Sequence, residues 1–252
     1  MVKVLLHGCN GAMGQVIAGL AKKDPQVEIA AGVDLNTEKK QDFPVYASLK
    51  EVKEPVDVVV DFASAKAVDG LLDYCAERGI PVVLCTTGLS QEQIEKAQAA
   101  GEKTAVLRSA NMSLGVNLLF KLVAEAARTL YGEGFDIEIV EKHHNQKMDA
   151  PSGTALALAD AANGAVENAC HYVYDRSQRR EKRDPMEIGI SAVRGGSIVG
   201  EHDVIFAGTD EVITLSHTAY SKAIFGKGAL AAAVFLAGRE PGMYTMADVI
   251  GS

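Results

Sequence analysis

Long apolar runs are missing from this sequence. No window approaches the about 18 uninterrupted apolar residues that a membrane-crossing helix needs, so no transmembrane span is expected. Cysteine is scarce, and Cys9, Cys75, Cys85 and Cys170 form no C-x-x-C pair. That spacing argues against both a zinc site and a disulfide framework, and four scattered thiols suit a reducing cytosol. Positive charge is in the minority: 25 Lys and Arg against 33 Asp and Glu leave a formal net charge of −8. Nucleic acid selects basic surfaces, so it is not the expected main partner. Internal repeats and low-complexity linkers are also lacking. What remains is a chain of 252 residues, 48% hydrophobic and 23% charged, a globular balance with length for one large domain or two moderate ones. The N-terminus enters a strand at once rather than a secretory signal, and a cytoplasmic location is expected. One basic stretch, DRSQRREKRD at 175–184, reads either as a solvated loop or as an attraction for an anionic ligand.

The first half alternates regularly. Val2 to Leu6, Val27 to Val33, 56–63, 80–88 and 104–111 are β-branched or apolar strand candidates, and helical patterns separate most of them. Gly79 follows one helix where a left-handed residue is wanted, and Ser90-x-x-Gln93 opens the next as a capping box. Such alternation predicts a doubly wound parallel sheet, with the turns gathered at the C-terminal ends of the strands. After Asn111 the pattern changes to a long helix at 114–131, a strand into His143-His144 and a helix at 152–166. Several strands follow without helices between them, so antiparallel or mixed pairing is expected. The apolar segment 227–238 is predicted as a helix that closes the chain and returns to the first domain. The expected domains are 1–112 with 221–252, and 113–220.

Glycines 8, 11 and 14 sit between the first strand and first helix, spaced G-x-x-G-x-x-G. Glycine permits both a turn conformation that disfavours Cβ and a close approach of phosphate to the helix N-terminus. Cys9 stands where the first glycine of the usual fingerprint would be. Asp34, 20 residues beyond Gly14 at a strand end, suits ribose hydroxyls. Leu35 follows it, not an arginine that would hold a 2′-phosphate. NADH is therefore favoured over NADPH, with Lys39 and Lys40 as aids to the latter.

The stretch EKHHNQKMDAPSGTALALA at 141–159 carries the chemistry. Two histidines and Lys147 occupy a turn ahead of a helix whose first turn suits Pro151. Ser152, Gly153 and Thr154 would offer N–H groups and hydroxyls at a positive dipole end, an anion site for a carboxylate substrate. Lysine and histidine beside it provide a cation and a proton carrier. A metal pair and a structural turn are the other readings of His143-His144; no third ligand stands out. Arg194 and Lys222 look like exposed cations.

HHNQKMDAPSGTA resembles the signature of the dihydrodipicolinate (4-hydroxy-tetrahydrodipicolinate) reductase family. GCNGAMG, VVVDFAS, CTTG, SANMSLGVN and VRGGSIVGEH are similar to other family segments, in order along the whole chain. The resemblance implies a Rossmann-like cofactor domain and a smaller α+β domain with a mixed sheet that builds a homotetramer. It also implies NAD(P)H-dependent reduction of a cyclic dicarboxylate to tetrahydrodipicolinate. By the same resemblance His143 and Lys147 are catalytic, while His144, Gly153 and Thr154 hold the substrate. Gly8, Cys9, Asn10, Gly11, Ala12, Met13, Asp34, Cys85, Thr86, Thr87, Ser109, Ala110, Asn111 and Met112 meet the cofactor. No metal is implied, and which of His143 and Lys147 delivers the proton stays open. Ala12 and Leu35 stand where many members carry arginine, which again bears on NADPH. An aspartate dehydrogenase would lack HH-x-x-K with PSGTA, and an NAD(H)-sensing regulator would lose the acid–base residues or carry a DNA-binding module.

Overall fold

The computed structural model describes residues 1–38, 41–109 and 111–251. Lys39, Lys40 and Ala110, singled out above, lie outside the described residues. The chain divides into two compact units, Met1–Leu114 with Ala223–Ser252, and Gly115–Lys222.

In the first unit, β1 (Val2–His7) is paired in parallel on both sides, with β2 (Val27–Val33) and β4 (Val58–Asp61). β3 (Val45–Tyr46), β5 (Val82–Leu84), β6 (Ala105–Arg108) and β12 (Gly242–Tyr244) complete a sheet of seven strands among the described residues. Its order is β12-β6-β5-β4-β1-β2-β3, parallel throughout. The connections reverse direction between β1 and β4, and at such a switch point the loops leaving the strand C-termini part and leave a crevice.

Alternation along the strands splits the core. Val4 and Leu6 face α1 (Ala12–Ala21) and α6 (Ala223–Leu236), whereas Leu5 and Val59 face α2 (Ala65–Arg78) and α3 (Gln91–Gly101). Each such buried Leu or Val is worth about 1.5–3 kcal/mol. The α3 capping box is present, and Gly79 ends α2 with φ +63°. Two expectations need correction. The strand candidate at 56–63 is the fourth, because two residues at 45–46 had already paired with the end of β2. Nor does the apolar helix close the chain: β12 and α7 (Met246–Gly251) follow α6, and β12 pairs with β6.

The second unit holds a five-stranded mixed sheet, order β11-β10-β7-β9-β8. β7 is Asp136–His143, β8 His171–Val173, β9 Glu187–Arg194, β10 Gly200–Ala207 and β11 Val212–Ala219. β9 runs parallel to β7 and β8, and β10 antiparallel to β7 and β11. Strict alternation in β7 turns Ile137 and Ile139 towards α4 (Leu114–Leu130) and α5 (Gly153–Ala165). The basic stretch at 175–184 folds partly onto this sheet: Arg176 and Arg183 bind Glu138, and Arg183 also binds Asp136. Arg180 and Lys182 stay outside those pairs, so much of its charge is neutralised internally. No described helix is long and apolar enough to cross a membrane.

Candidate active site

The glycine turn of the first unit is built by close packing. Gly8 adopts φ +81°, and a Cβ there would lie 2.7 Å from the Phe62 carbonyl oxygen. A Cβ on Gly14 would run into the carbonyl oxygens of Gly8 and Cys9, so α1 can sit this close only with glycine. Gly11 is the N-cap of α1 and makes no side-chain cap. The Cys9 side chain is wholly buried, and burial together with the nearby Asp34 charge pushes its thiol up to about 11. Only the Cys9 backbone is therefore available to a ligand.

Asp34 braces the turn. Its carboxylate accepts the Asn10 N–H and the Asn36 N–H, both at 2.9 Å, and Asn10 Nδ2 donates to the Asn36 carbonyl at 2.6 Å. Gly8, Gly11, Asp34, Leu35 and Ala63 line one cleft of about 990 Å³. Leu35 is 97% exposed. Ala12 and Met13 open α1. Cys85, Thr86 and Thr87 follow β5, and Ser109, Asn111 and Met112 follow β6, on the same strand ends but outside the lining of that cleft. Cys85 is buried and its thiol raised by burial; Ser109 Oγ donates to the Asn111 carbonyl at 2.9 Å.

In the second unit, β7 delivers His143 at its end, and the chain turns back through His144 to Lys147, whose N–H donates to the His144 carbonyl. His143 Nδ1 lies 2.6 Å from Glu141 Oε2. Glu141, two residues earlier on the same face, is fully buried. Arg194, at the end of the neighbouring β9, donates to both Glu141 oxygens at 2.7 Å. The Ser152 N–H donates to Oε1 at 2.9 Å. Burial alone would raise the Glu141 carboxyl; the bonds from Arg194, His143 and Ser152 outweigh it and hold the group below its ordinary range. Arg194 is thus not an exposed cation, as its sequence context suggested, but the clamp on this carboxylate, with its side chain 19% exposed. Lys222 is exposed.

The N-terminus of α5 also differs from expectation. Ser152 is its N-cap, accepting the Ala155 N–H, so Pro151 precedes the helix rather than entering its first turn. Its hydroxyl lies 3.1 Å from His202 Nε2 and its N–H is held by Glu141, so Ser152 is committed internally. Gly153 borders open space. The Lys147 ammonium pairs with the Asp149 carboxylate, Nζ at 2.8 Å, and this pair, foremost, lowers the Asp149 carboxyl.

Glu141 opens the stretch 141–159 and Arg194 lies in VRGGSIVGEH, but the sequence assigns Glu141 no role and reads Arg194 only as an exposed cation. The signal for Glu141 was its place two residues before a strand-end histidine. Behind them His202 packs edge-on to His143, ring centroids 5.2 Å apart. Burial, then the neighbouring His143, push His202 down to about 4. Its folded value is depressed, so the unfolded chain takes up the proton first. This contribution to stability is complete above the unfolded value near pH 6.5 and drains away towards about pH 4. The thermal midpoint is expected to fall between those limits, and His202→Gln to flatten part of that slope. His217, also lowered by burial, supplies another part. An unchanged slope in the variant assigns the effect elsewhere.

The comparisons agree with this two-part arrangement. Family models described as dihydrodipicolinate reductase, N-terminus and C-terminus, match residues 2–112 and 115–250. A 4-hydroxy-tetrahydrodipicolinate reductase of Caldanaerobacter subterraneus subsp. tengcongensis is 58% identical over 99% of this chain and 98% of its own. Another, of Clostridium tetani, is 46% identical over 100% and 98%. Among solved structures, dipicolinate-bound dihydrodipicolinate reductase from Paenisporosarcina sp. TG-14 shares the fold, with TM-score 0.78, 24% identity and 97% coverage of both chains. By its two family models and its full-length relatives, the chain belongs to the 4-hydroxy-tetrahydrodipicolinate reductase family, enzymes of lysine biosynthesis that reduce 4-hydroxy-tetrahydrodipicolinate with NAD(P)H.

Proposed function

We propose that the first unit holds the nicotinamide dinucleotide, with NADH preferred, and that the second holds the dicarboxylate substrate and protonates it. The observation carrying this reading is the pairing of His143 with buried, Arg194-clamped Glu141 at the end of β7, next to the turn that bears Lys147. The packed glycine turn and the Asp34 cleft fit a dinucleotide: methyl-free backbone for the pyrophosphate and a carboxylate at the rim for ribose. Gly8, Cys9, Asn10, Gly11, Ala12 and Met13 would hold it on that side, and Cys85, Thr86, Thr87, Ser109, Asn111 and Met112 on the strand ends beyond, together with Ala110, which lies outside the described residues. When bound, the dinucleotide supplies a hydride.

Gly153 and Thr154 bind a substrate carboxylate, displacing Asp149, and His144 orients the ring. Glu141 fixes Nδ1 of His143, leaving Nε2 as the atom that exchanges a proton. Lys147 gives the proton that accompanies hydride addition, because its side chain is the more exposed of the two, 22% against 11%. One hydride and one proton are added, and the substrate's 4-hydroxyl leaves as water. A homotetramer built on the second unit belongs to the same reading, supported by Val193 and Val212, which are exposed on its sheet.

Following NADH oxidation while the preceding enzyme of lysine synthesis generates the substrate tests the whole. No substrate-dependent oxidation refutes the reading. For the cofactor, Asp34→Ala is expected to raise the KM for NADH about tenfold and that for NADPH less. Losing the brace on Asn10 and Asn36 harms both, so the ratio of the two is the readout. An unchanged ratio removes Asp34 from the ribose.

A further inference from the structure

We infer that His7 is a further cofactor-binding residue, holding the adenosine half of the dinucleotide from the floor of the cleft through Nε2. This rests on the reading of the cleft as the dinucleotide site. His7 ends β1 directly before Gly8, is 7% exposed, and lines the same cleft as Gly11, Asp34 and Leu35. Its register partner on β4 is Asp61, and the two side chains leave the sheet on the face that carries Leu5 and Val59. His7 Nδ1 lies 2.7 Å from Asp61 Oδ1.

Asp61 is fully buried, and it does not need His7 to be satisfied. Its Oδ2 accepts the Thr86 hydroxyl at 2.6 Å, and its Oδ1 also accepts the Ala63 N–H at 3.2 Å. A carboxylate only accepts, so the Nδ1 facing it carries the ring proton. In the neutral ring, Nε2 is then an acceptor. Asp61 is the one side-chain partner of His7 among the described residues. A ring that lines the cleft while turning Nδ1 into the protein offers the cleft its opposite edge. Adenosine carries matching donors, its ribose hydroxyls and its exocyclic amine. His7 thereby joins the cleft, through Asp61, to Thr86 on the turn after β5.

Asparagine and glutamine separate this role from mere support of Asp61. The amide of His7→Asn reaches the place of Nδ1 and keeps the bond to Asp61, with nothing at the place of Nε2. The longer side chain of His7→Gln reaches the place of Nε2. The full-length wild type and the two variants, with His7→Ala as reference, are titrated with NADH by fluorescence and with ADP-ribose, which lacks nicotinamide, by calorimetry. A thermal midpoint is recorded for each. His7→Asn and His7→Ala are both expected to weaken both ligands about fivefold, with His7→Gln binding more tightly than His7→Ala. Wild-type affinity in His7→Asn, or weakening in His7→Gln equal to that in His7→Ala, overturns the inference. If the wild type binds neither ligand, the reading of the cleft falls first and His7 with it.

Discussion

Lys147→Ala is expected to lower kcat by about 100- to 10,000-fold, the range for loss of a positioned general acid, while the KM for NADH changes little. The ammonium sits on the turn between β7 and α5, paired with Asp149 at 2.8 Å. That pair is exposed on the Asp149 side and adds little stability, so the variant should fold. The Asp149 carboxyl is held down first by Lys147 and also feels the backbone of Gly153, one of the groups assigned to substrate. A substrate carboxylate must displace it, and binding then frees Lys147 beside the ring. The KM for substrate should rise along with the fall in kcat. Initial rates with each substrate varied in turn separate these terms. Turnover within about twofold of wild type would remove Lys147 from the chemistry.

Glu141→Ala is expected to cost about 3 kcal/mol or more of stability. The loss arises from what is left behind. Arg194 loses two bonds of 2.7 Å while its Nε is already without a partner, and the Ser152 N–H and His143 Nδ1 lose their acceptor. Urea unfolding of Glu141→Ala, Arg194→Ala and the double variant measures the coupling. The double variant should be less destabilised than the sum of the two, because no lone charge remains in it. Simple additivity would mean that the pair does not act as a unit. The acid side provides a check. Glu141 is depressed in the fold, so its contribution is present above the unfolded value of about 4.5 and is lost as pH falls through the lower folded value. Wild type should lose more stability across that window than Glu141→Gln.

Local rules were enough for much of the frame. The bounds Val27–Val33, the left-handed Gly79 and the Ser90–Gln93 box all follow from a few neighbouring residues, and the structure contains each. The strands β3, β8 and β12 did not show, because two or three residues carry no period. They exist through backbone pairing with β2, β9 and β6, segments outside any short window and, for β12, far away in the chain. The order of the sheet had the same limit, since alternation predicts parallel strands but not their neighbours.

For the site, the order of residues alone gathers the chemical types: a glycine turn with Asp34, and a histidine–lysine turn leading into α5. Their chemistry is local, set by a few residues in succession. Their partners come from the packed fold. Glu141 and Arg194 are 53 residues apart and His7 and Asp61 are 54 apart, yet each pair meets across adjacent strands. It also decided that Cys9 is buried, that Ser152 is committed, and that Arg194 is a clamp rather than a surface charge. Burial and hydrogen-bond partnership belong to the packed sheet, and no short window of sequence contains them.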